Sequence, residues 1–230
     1  MIDHSFDETF MHRIVMIGSS GHAKSTIDVI EKEKKYVIAG LVDSFCPIDQ
    51  VVLGYPVIGR VHELSELSGR FDIHGVFIAI GDNAQRAIMA DKMAFLIPEI
   101  PMVTTVHPSA QIGLNTKIGE GTVIMAGAVI GPNCTVGRGC IINTLASLDH
   151  DSVMEDYSSL APHAATGGTC RIGTASALGI GAKLIHGITV GNHVVVGAGA
   201  VVLQNIGHET VAYGTPARIV RTRKPGDPYL

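Results

Sequence analysis

Between Val106 and Leu203 the hydrophobic positions of the chain recur every six residues. Val106, Ile112, Ile118, Ile124, Ile130, Val136, Ile142, Leu148, Met154, Leu160, Ile172, Leu178, Leu184, Val190, Val196 and Val202 are apolar, and Thr166 is the one lapse. A period of six fits neither the 3.6 of a helix nor the alternation of a strand. A fixed short period predicts a solenoid. Each unit lays down one short strand with its apolar residue inward. Three units, or eighteen residues, close one triangular coil, so residue i stacks on i+18. Glycine often follows the apolar position, as at Gly113, Gly131, Gly167 and Gly191, and reads as the small residue at which the chain turns the corner. The register runs through about five coils without an insertion.

Ahead of the repeat the pattern changes. Arg13–Ile17, Tyr36–Val42 and His74–Gly81 read as buried strands, with a shorter one near Pro56–Ile58. Helical patterns fall between them, from the glycine turn to about Lys35, over Val61–Ser68, and from Ala84 to Leu96 with Asn83 as the cap. Strands alternating with helices predict a small parallel, Rossmann-like α/β sheet. The expected organisation is a flexible leader over 1–12, a nucleotide-sugar-binding domain over 13–105, a β-helix over 106–207, and a C-terminal tail over 208–230 that packs on the last coil and frays.

Composition narrows the chemistry. The chain is 46% hydrophobic but 5% aromatic, without Trp, so the core is aliphatic, as a narrow β-coil requires. A net charge of −4 gives no sign of a nucleic-acid partner. No apolar run approaches a membrane span. Cys46, Cys134, Cys140 and Cys170 have no zinc or redox spacing and read as reduced thiols, which fits a cytoplasmic protein.

The first βα turn is Gly18-Ser19-Ser20-Gly21-His22. It lacks the full dinucleotide fingerprint, yet a tight turn opening a helix offers N–H groups to phosphate. Asp43, at the tip of the second strand, suits a ribose hydroxyl or another polar group. His22 serves either as a ligand contact or as a cap.

Two features together carry a resemblance: the unbroken hexapeptide repeat ending in Gly214-Thr215-Pro216-Ala217, and the α/β domain with Gly21-His22-Ala23-Lys24 in its first turn. Over about residues 13–220 the chain resembles the bacterial hexapeptide acyltransferases of the sialic acid O-acetyltransferase-like family. It is similar to those that acetylate nucleotide-linked 4-amino-4,6-dideoxy sugars, as in bacillosamine synthesis. The resemblance implies a left-handed parallel β-helix, a homotrimer, acetyl-CoA between neighbouring β-helices, and a nucleotide-linked sugar on the N-terminal domain. It implies no metal.

Asn143 to Asp151 resembles the family's catalytic segment, with an Asn seven residues before a His and an acidic residue after it. The chemistry agrees, because attack on a thioester needs a base near neutrality and an imidazole supplies one. His150 is therefore expected to be the general base, with Asp151 as partner and Asp149 as rival. Strand alternation would place both aspartates opposite His150. Gly168 falls in the column of His150, where the family offers an N–H to the acetyl carbonyl. Ile180 and Ala198 match positions that contact CoA. Ser159 stands where relatives often have a second His that assists acetyl-CoA. Ser20, Gly21, His22, Asp43 and Gly59 match the nucleotide-sugar site, and Ser44 replaces a second acidic residue there. The expected reaction is acetyl transfer to the amine of a nucleotide-linked amino sugar. The alternatives are O-acetylation of a sialic acid, a metal-dependent β-helix enzyme, and a non-catalytic scaffold.

Overall fold

The computed structural model describes residues 12–229. The expected leader lies outside them except for His12, which opens the first strand. The N-terminal domain runs β1 (His12–Ile17), α1 (Gly21–Glu33), β2 (Tyr36–Val42), β3 (Val51–Val52), β4 (Tyr55–Gly59), a 3₁₀ turn (Val61–Glu63) continuing into α2 (Leu64–Arg70), β5 (Gly75–Ile78) and α3 (Asn83–Leu96). The sheet order is β3-β4-β2-β1-β5. All pairings are parallel except β3 with β4. Strand β1 is apolar without alternation because both faces are covered. Ile14 and Met16 pack with Ile27 and Ile30 of α1, while Val15 and Ile17 pack with Leu64 of α2 and Met93 of α3.

From β6 (Thr105–Val106) to β22 (Val201–Val202), a two-residue strand recurs every six residues. They stack into three parallel sheets with partners eighteen residues apart, such as Ile130 on Leu148. The first sheet runs from β7 (Gln111–Ile112) to β22, and the second from β8 (Lys117–Ile118) to β20 (Thr189–Val190). The third runs from β6 to β21 (Val195–Val196) and continues into β23 (Thr210–Gly214) and β24 (Ala217–Thr222). This is the left-handed parallel β-helix of the hexapeptide-repeat proteins. The inward residues from Ile124 to Val202 form one continuous core, each burial worth about 1.5–3 kcal/mol. Ile112 stays 41% exposed because it lies on the first, open coil.

The corners turn for a different reason from the one the glycines suggest. The residue three places after each apolar position has positive φ, from Asn115 through Asn133, Leu145, Asp151, Tyr157, His163 and Thr169 to Gly199. That residue turns the chain. The glycine directly after the apolar position answers to crowding. A Cβ on Gly113 would stand 2.4 Å from the nitrogen of Pro132 on the next coil, and one on Gly137 2.7 Å from that of Asp156. Inside the prism, hydroxyls two places before the apolar residue staple the coils. Ser176 donates to Gly191 O at 2.6 Å and accepts from Val194 N at 2.8 Å. Cys134, Cys140 and Cys170 occupy the same position, buried and unpaired. Burial pushes the Cys140 thiol up to about 11, so it holds no reactive thiolate.

A buried arginine is one of the joints between the two bodies. Arg86 of α3 is 1% exposed. It donates to Gly139 O (2.6 Å) and Tyr157 O (3.0 Å) of the β-helix, to Ile80 O (2.9 Å) and Gly81 O (3.1 Å) of its own domain, and to Asn83 Oδ1 (2.6 Å). The cap of α3 is Asp82, which accepts from Gln85 N at 2.9 Å, rather than Asn83. Asn83 is the first helical residue and turns inward, donating to Ser159 Oγ (3.0 Å) and Ser176 O (3.1 Å). The C-terminal segment does not fray. It forms the β23–β24 hairpin, buries Arg223, and returns to α3, where the Tyr229 hydroxyl accepts from Asn83 N at 2.9 Å.

Candidate functional site

The first part of the site is a cleft of about 410 Å³ at the C-terminal ends of β1, β2 and β5, where the connections diverge to opposite faces of the sheet. Gly18, Ser20, Asp43, Ser44, Phe45 and Asp82 are among its walls. Gly18 is a requirement of the turn: its φ is +107°, and a Cβ would meet Ala79 O at 2.9 Å. The N-terminus of α1, which no side chain caps, opens at this cleft and suits an anion, while that of α3 is already capped by Asp82.

Asp43 organises the loop after β2. Its Oδ1 accepts from Phe45 N (2.8 Å) and Cys46 N (2.9 Å), and its Oδ2 from Ser19 Oγ (2.7 Å). Burial alone would push its carboxyl up, but these donors outweigh burial and hold it below the ordinary value. Arg60 donates to Asp43 O at 2.9 Å and also to Cys46 O, so the loop is fixed. It nevertheless presents Phe45 with its side chain 95% exposed. An aromatic plane held open over a cleft suits a nucleobase. Phe45 escaped the sequence reading, although an aromatic two residues past Asp43 was its available signal.

Gly21, His22 and Gly59 are not among the walls of this cleft. A Cβ on Gly59 would meet Leu67 at 2.7 Å, so that glycine serves packing, while its carbonyl accepts from Asp43 N at 3.3 Å. His22 lies at the mouth of α1, its Nε2 buried without a partner. Burial, then the nearby Arg86 charge, pushes its pKa down to about 4, so it is a neutral imidazole at pH 7.

The second part lies on the edge between the first and second sheets. His150 and Asp151 sit in the corner between β13 (Ser147–Leu148) and β14 (Val153–Met154). Asp151 is the left-handed residue of that corner, φ +56°. Strand alternation therefore does not apply, and its carboxylate swings beside the ring, with Oδ2 2.7 Å from His150 Nδ1. Asp149 is engaged elsewhere: its Oδ1 accepts from His150 N at 2.8 Å. The bond to Asp151, then the Asp149 charge, raises the His150 pKa above the ordinary value, and His150 in turn lowers that of Asp151.

With Nδ1 on Asp151, Nε2 turns toward Gly168. A Cβ there would stand 2.4 Å from both Cε1 and Nε2. The neighbouring bonds run from Gly167 N to Leu184 O and from Thr169 N to His150 O, and Gly168 N has no partner among the described residues. The corner thus holds an imidazole, fixed by a carboxylate, against a glycine one coil above whose N–H is unused among the described residues. Gly168→Ala should test this contact. The half-exposed ring can move aside, so the thermal midpoint should stay near that of the parent. Displacing the imidazole by about 1 Å should cost about 100-fold in acetyl-transfer rate. A rate within twofold of the parent would show that the position of the ring over Gly168 is immaterial.

The other expected residues lie on other edges of the same chain. Asn143 opens the corner between the third and first sheets, its Oδ1 accepting from Thr144 N at 2.9 Å. Exposed Ile180 and, one coil on, Ala198 occupy that same edge. Ser159 begins β15 (Ser159–Leu160) on the third sheet, beside Asn83. It accepts the Asn83 amide, which leaves its own proton for a ligand.

The PglD N-terminal domain model matches residues 13–93, and the bacterial transferase hexapeptide model matches residues 115–148. PerB from Caulobacter crescentus, solved with CoA and GDP-perosamine, is 35% identical, with a TM-score of 0.85 over 90% of this chain and 97% of that one. A variant of the GDP-perosamine N-acetyltransferase of the same organism, with the same two ligands, is 34% identical, with a TM-score of 0.86 over 90% and 96% of the two chains. The acetyltransferase domain of PglB from Neisseria gonorrhoeae is 30% identical, with a TM-score of 0.83 over 91% and 100%.

Proposed function

This chain belongs to the hexapeptide-repeat sugar acetyltransferases that carry a PglD-type N-terminal domain, and from that premise we propose that it transfers acetyl from acetyl-CoA to the amine of a nucleotide-linked amino-deoxy sugar. The observation that carries the proposal is the His150–Asp151 pair, with the ring of His150 packed against Gly168, whose N–H has no partner among the described residues. Asp151 fixes the tautomer that leaves Nε2 unprotonated. As the sugar amine attacks the thioester carbonyl, Nε2 takes its proton. The Gly168 N–H receives the developing oxyanion, a contribution often worth about 3 kcal/mol. The C–N bond forms, the C–S bond breaks, and the imidazolium returns its proton to the departing CoA sulfur.

The acceptor's phosphates fit the turn from Gly18 to Gly21, with the ribose beside Asp43 and Ser44 and the base against Phe45. His22 and Gly59 then support the walls. Acetyl-CoA is assigned to Ser159, Gly168, Ile180 and Ala198, and Asn143 to the catalytic set with His150 and Asp151. These positions favour a homotrimer. The N-terminal domain is clamped to the edge carrying Gly139 and Tyr157, His150 lies on the next edge, and Asn143, Ile180 and Ala198 lie on the third. One chain cannot bring three edges of a prism to one sugar, whereas neighbouring copies can. No helix among the described residues is long and apolar enough to cross a membrane, and we place the reaction in the cytoplasm, where acetyl-CoA and nucleotide sugars are made.

A thiol-release assay with acetyl-CoA tests the reading across GDP- and UDP-linked 4-amino-4,6-dideoxy sugars, CMP-sialic acid and free sialic acid. Turnover is expected with a nucleotide amino sugar. Turnover confined to a sialic acid would replace N-acetylation with O-acetylation.

A further inference from the structure

The edge that carries His150 also carries a ladder of side chains that the reaction above does not use. Asn115, Asn133 and Asp151 are successive left-handed corner residues, eighteen apart, with φ of 60°, 58° and 56°. Asn115 Nδ2 donates to Asn133 Oδ1 at 3.2 Å, and Asn133 Nδ2 donates to Asp151 Oδ1 at 3.3 Å. Asp151 Oδ2 is the oxygen that meets His150 Nδ1. Both oxygens of the carboxylate are thus held, one by each neighbour.

The direction of the ladder follows from its end. An ionised carboxylate only accepts, so the Asn133 amide must present its nitrogen to Asp151. Its oxygen then points down the edge, where the nitrogen of Asn115 meets it. An aspartate with one partner swings about its side-chain torsions, and one held on both oxygens does not. Left-handed backbone also favours Asn and Asp over other residues with side chains, so this column is well suited to amides and a carboxylate.

We propose that Asn133, oriented by Asn115, is a positioning residue for the acetyl transfer: it fixes Asp151 so that His150 keeps Nε2 over Gly168. The proposal rests on the reading of His150 as the general base. The groups that face the imidazole are Asp149 and Asp151 in its own corner, Asn133 on the coil below, and Gly168 and Thr169 on the coil above, with His186 one coil further. Of these, only the aspartates and His186 titrate.

Two variants with opposite expected signs test it. Asn133→Gly keeps the left-handed backbone unstrained and deletes the amide. It should lower kcat about fivefold, the scale of one net hydrogen bond, with KM for acetyl-CoA and for the sugar nucleotide unchanged. The acidic limb of the pH profile should move to lower pH, because His150 loses a fixed carboxylate partner. Asn133→Asp replaces the donor with a second negative charge, so the limb should move to higher pH while kcat again falls. A purely structural role would lower both variants alike without opposite shifts. Asn115→Gly, one coil further from the chemistry, should shift the limb in the same direction as Asn133→Gly but less, and it serves if the Asn133 variants fail to fold. His150→Ala is the control. If it is inactive while the Asn133 and Asn115 variants leave kcat and the limb in place, the ladder does not position the base. If His150→Ala is active, the general-base reading fails first.

Discussion

His150→Ala is expected to lower acetyl transfer at least about 100-fold, the usual contribution of a positioned general base, while leaving the fold and CoA binding intact. The side chain is half exposed at a corner and its backbone bonds are independent of it, so no core is lost. The pH profile carries a second signature. The base works as neutral imidazole. Its pKa is raised, first by the bond to Asp151 and then by the Asp149 charge. Activity should therefore be full above that raised value and fall as the pH drops through it, with the acidic limb above the ordinary imidazole value of about 6.5. Asp151→Asn removes the carboxylate and tolerates the same left-handed backbone, so it should bring the limb down toward that value and lower kcat. Steady-state thiol release between pH 5.5 and pH 9, with CoA binding followed by calorimetry, checks both statements. A His150→Ala variant with more than about a tenth of parental kcat would remove the general-base role.

The second large effect is on stability. Arg86→Met should destabilise the protein by about 3–5 kcal/mol, because it strands buried acceptors that each cost about 1–3 kcal/mol when unpaired. Four of those acceptors are main-chain carbonyls, and the fifth is the Asn83 oxygen. Among the described residues no carboxylate is a hydrogen-bond partner of the arginine. Its charge is held by carbonyl dipoles, and burial pushes its pKa down. The thermal midpoint should fall by about 6–20 °C for a chain of this size. The loss should appear as early release of the N-terminal domain, with protease cutting first between α3 and β6. An unchanged midpoint would show that the arginine contributes nothing to the seam and that its other contacts hold the two bodies.

The repeat was legible because its signal is one apolar residue at a fixed spacing, and that residue, with a small or apolar one two places before it, makes up the core. The corner was not. Its left-handed position is filled by Asn, Gly, Leu, Asp, Tyr, His, Thr and Ala in turn, so no residue type marks it. That is why the placement of Asp151 was misjudged: alternation governs strands, and Asp151 belongs to a turn. The glycines were noticed but assigned to the bend, whereas the backbone of the next coil excludes their side chains. Arg86 was invisible for another reason. A charged residue within a helix reads as solvent-facing, and nothing local announces the carbonyls of a distant domain. Asp82 and Asn83 are both good caps by type, and only the burial of Asn83 separates them. The corner proposed as catalytic stood out only through resemblance, because an exposed His beside two aspartates is otherwise an ordinary piece of surface.

The seam at Arg86 has a consequence for how such enzymes diversify. Its two contacts on the β-helix are to the carbonyls of Gly139 and Tyr157, groups that every sequence supplies in every coil. No substitution on that surface can delete them. This part of the attachment does not depend on which side chains surround it, whereas the Asn83–Ser159 bond and the packing around Tyr157 do. If the N-terminal domain reads the acceptor, as proposed, acceptor recognition can be exchanged by recombination, as a cartridge, while the β-helix stays in place. An unbroken solenoid offers no loops in which a new specificity could grow, so in this architecture novelty arrives by swapping the front piece.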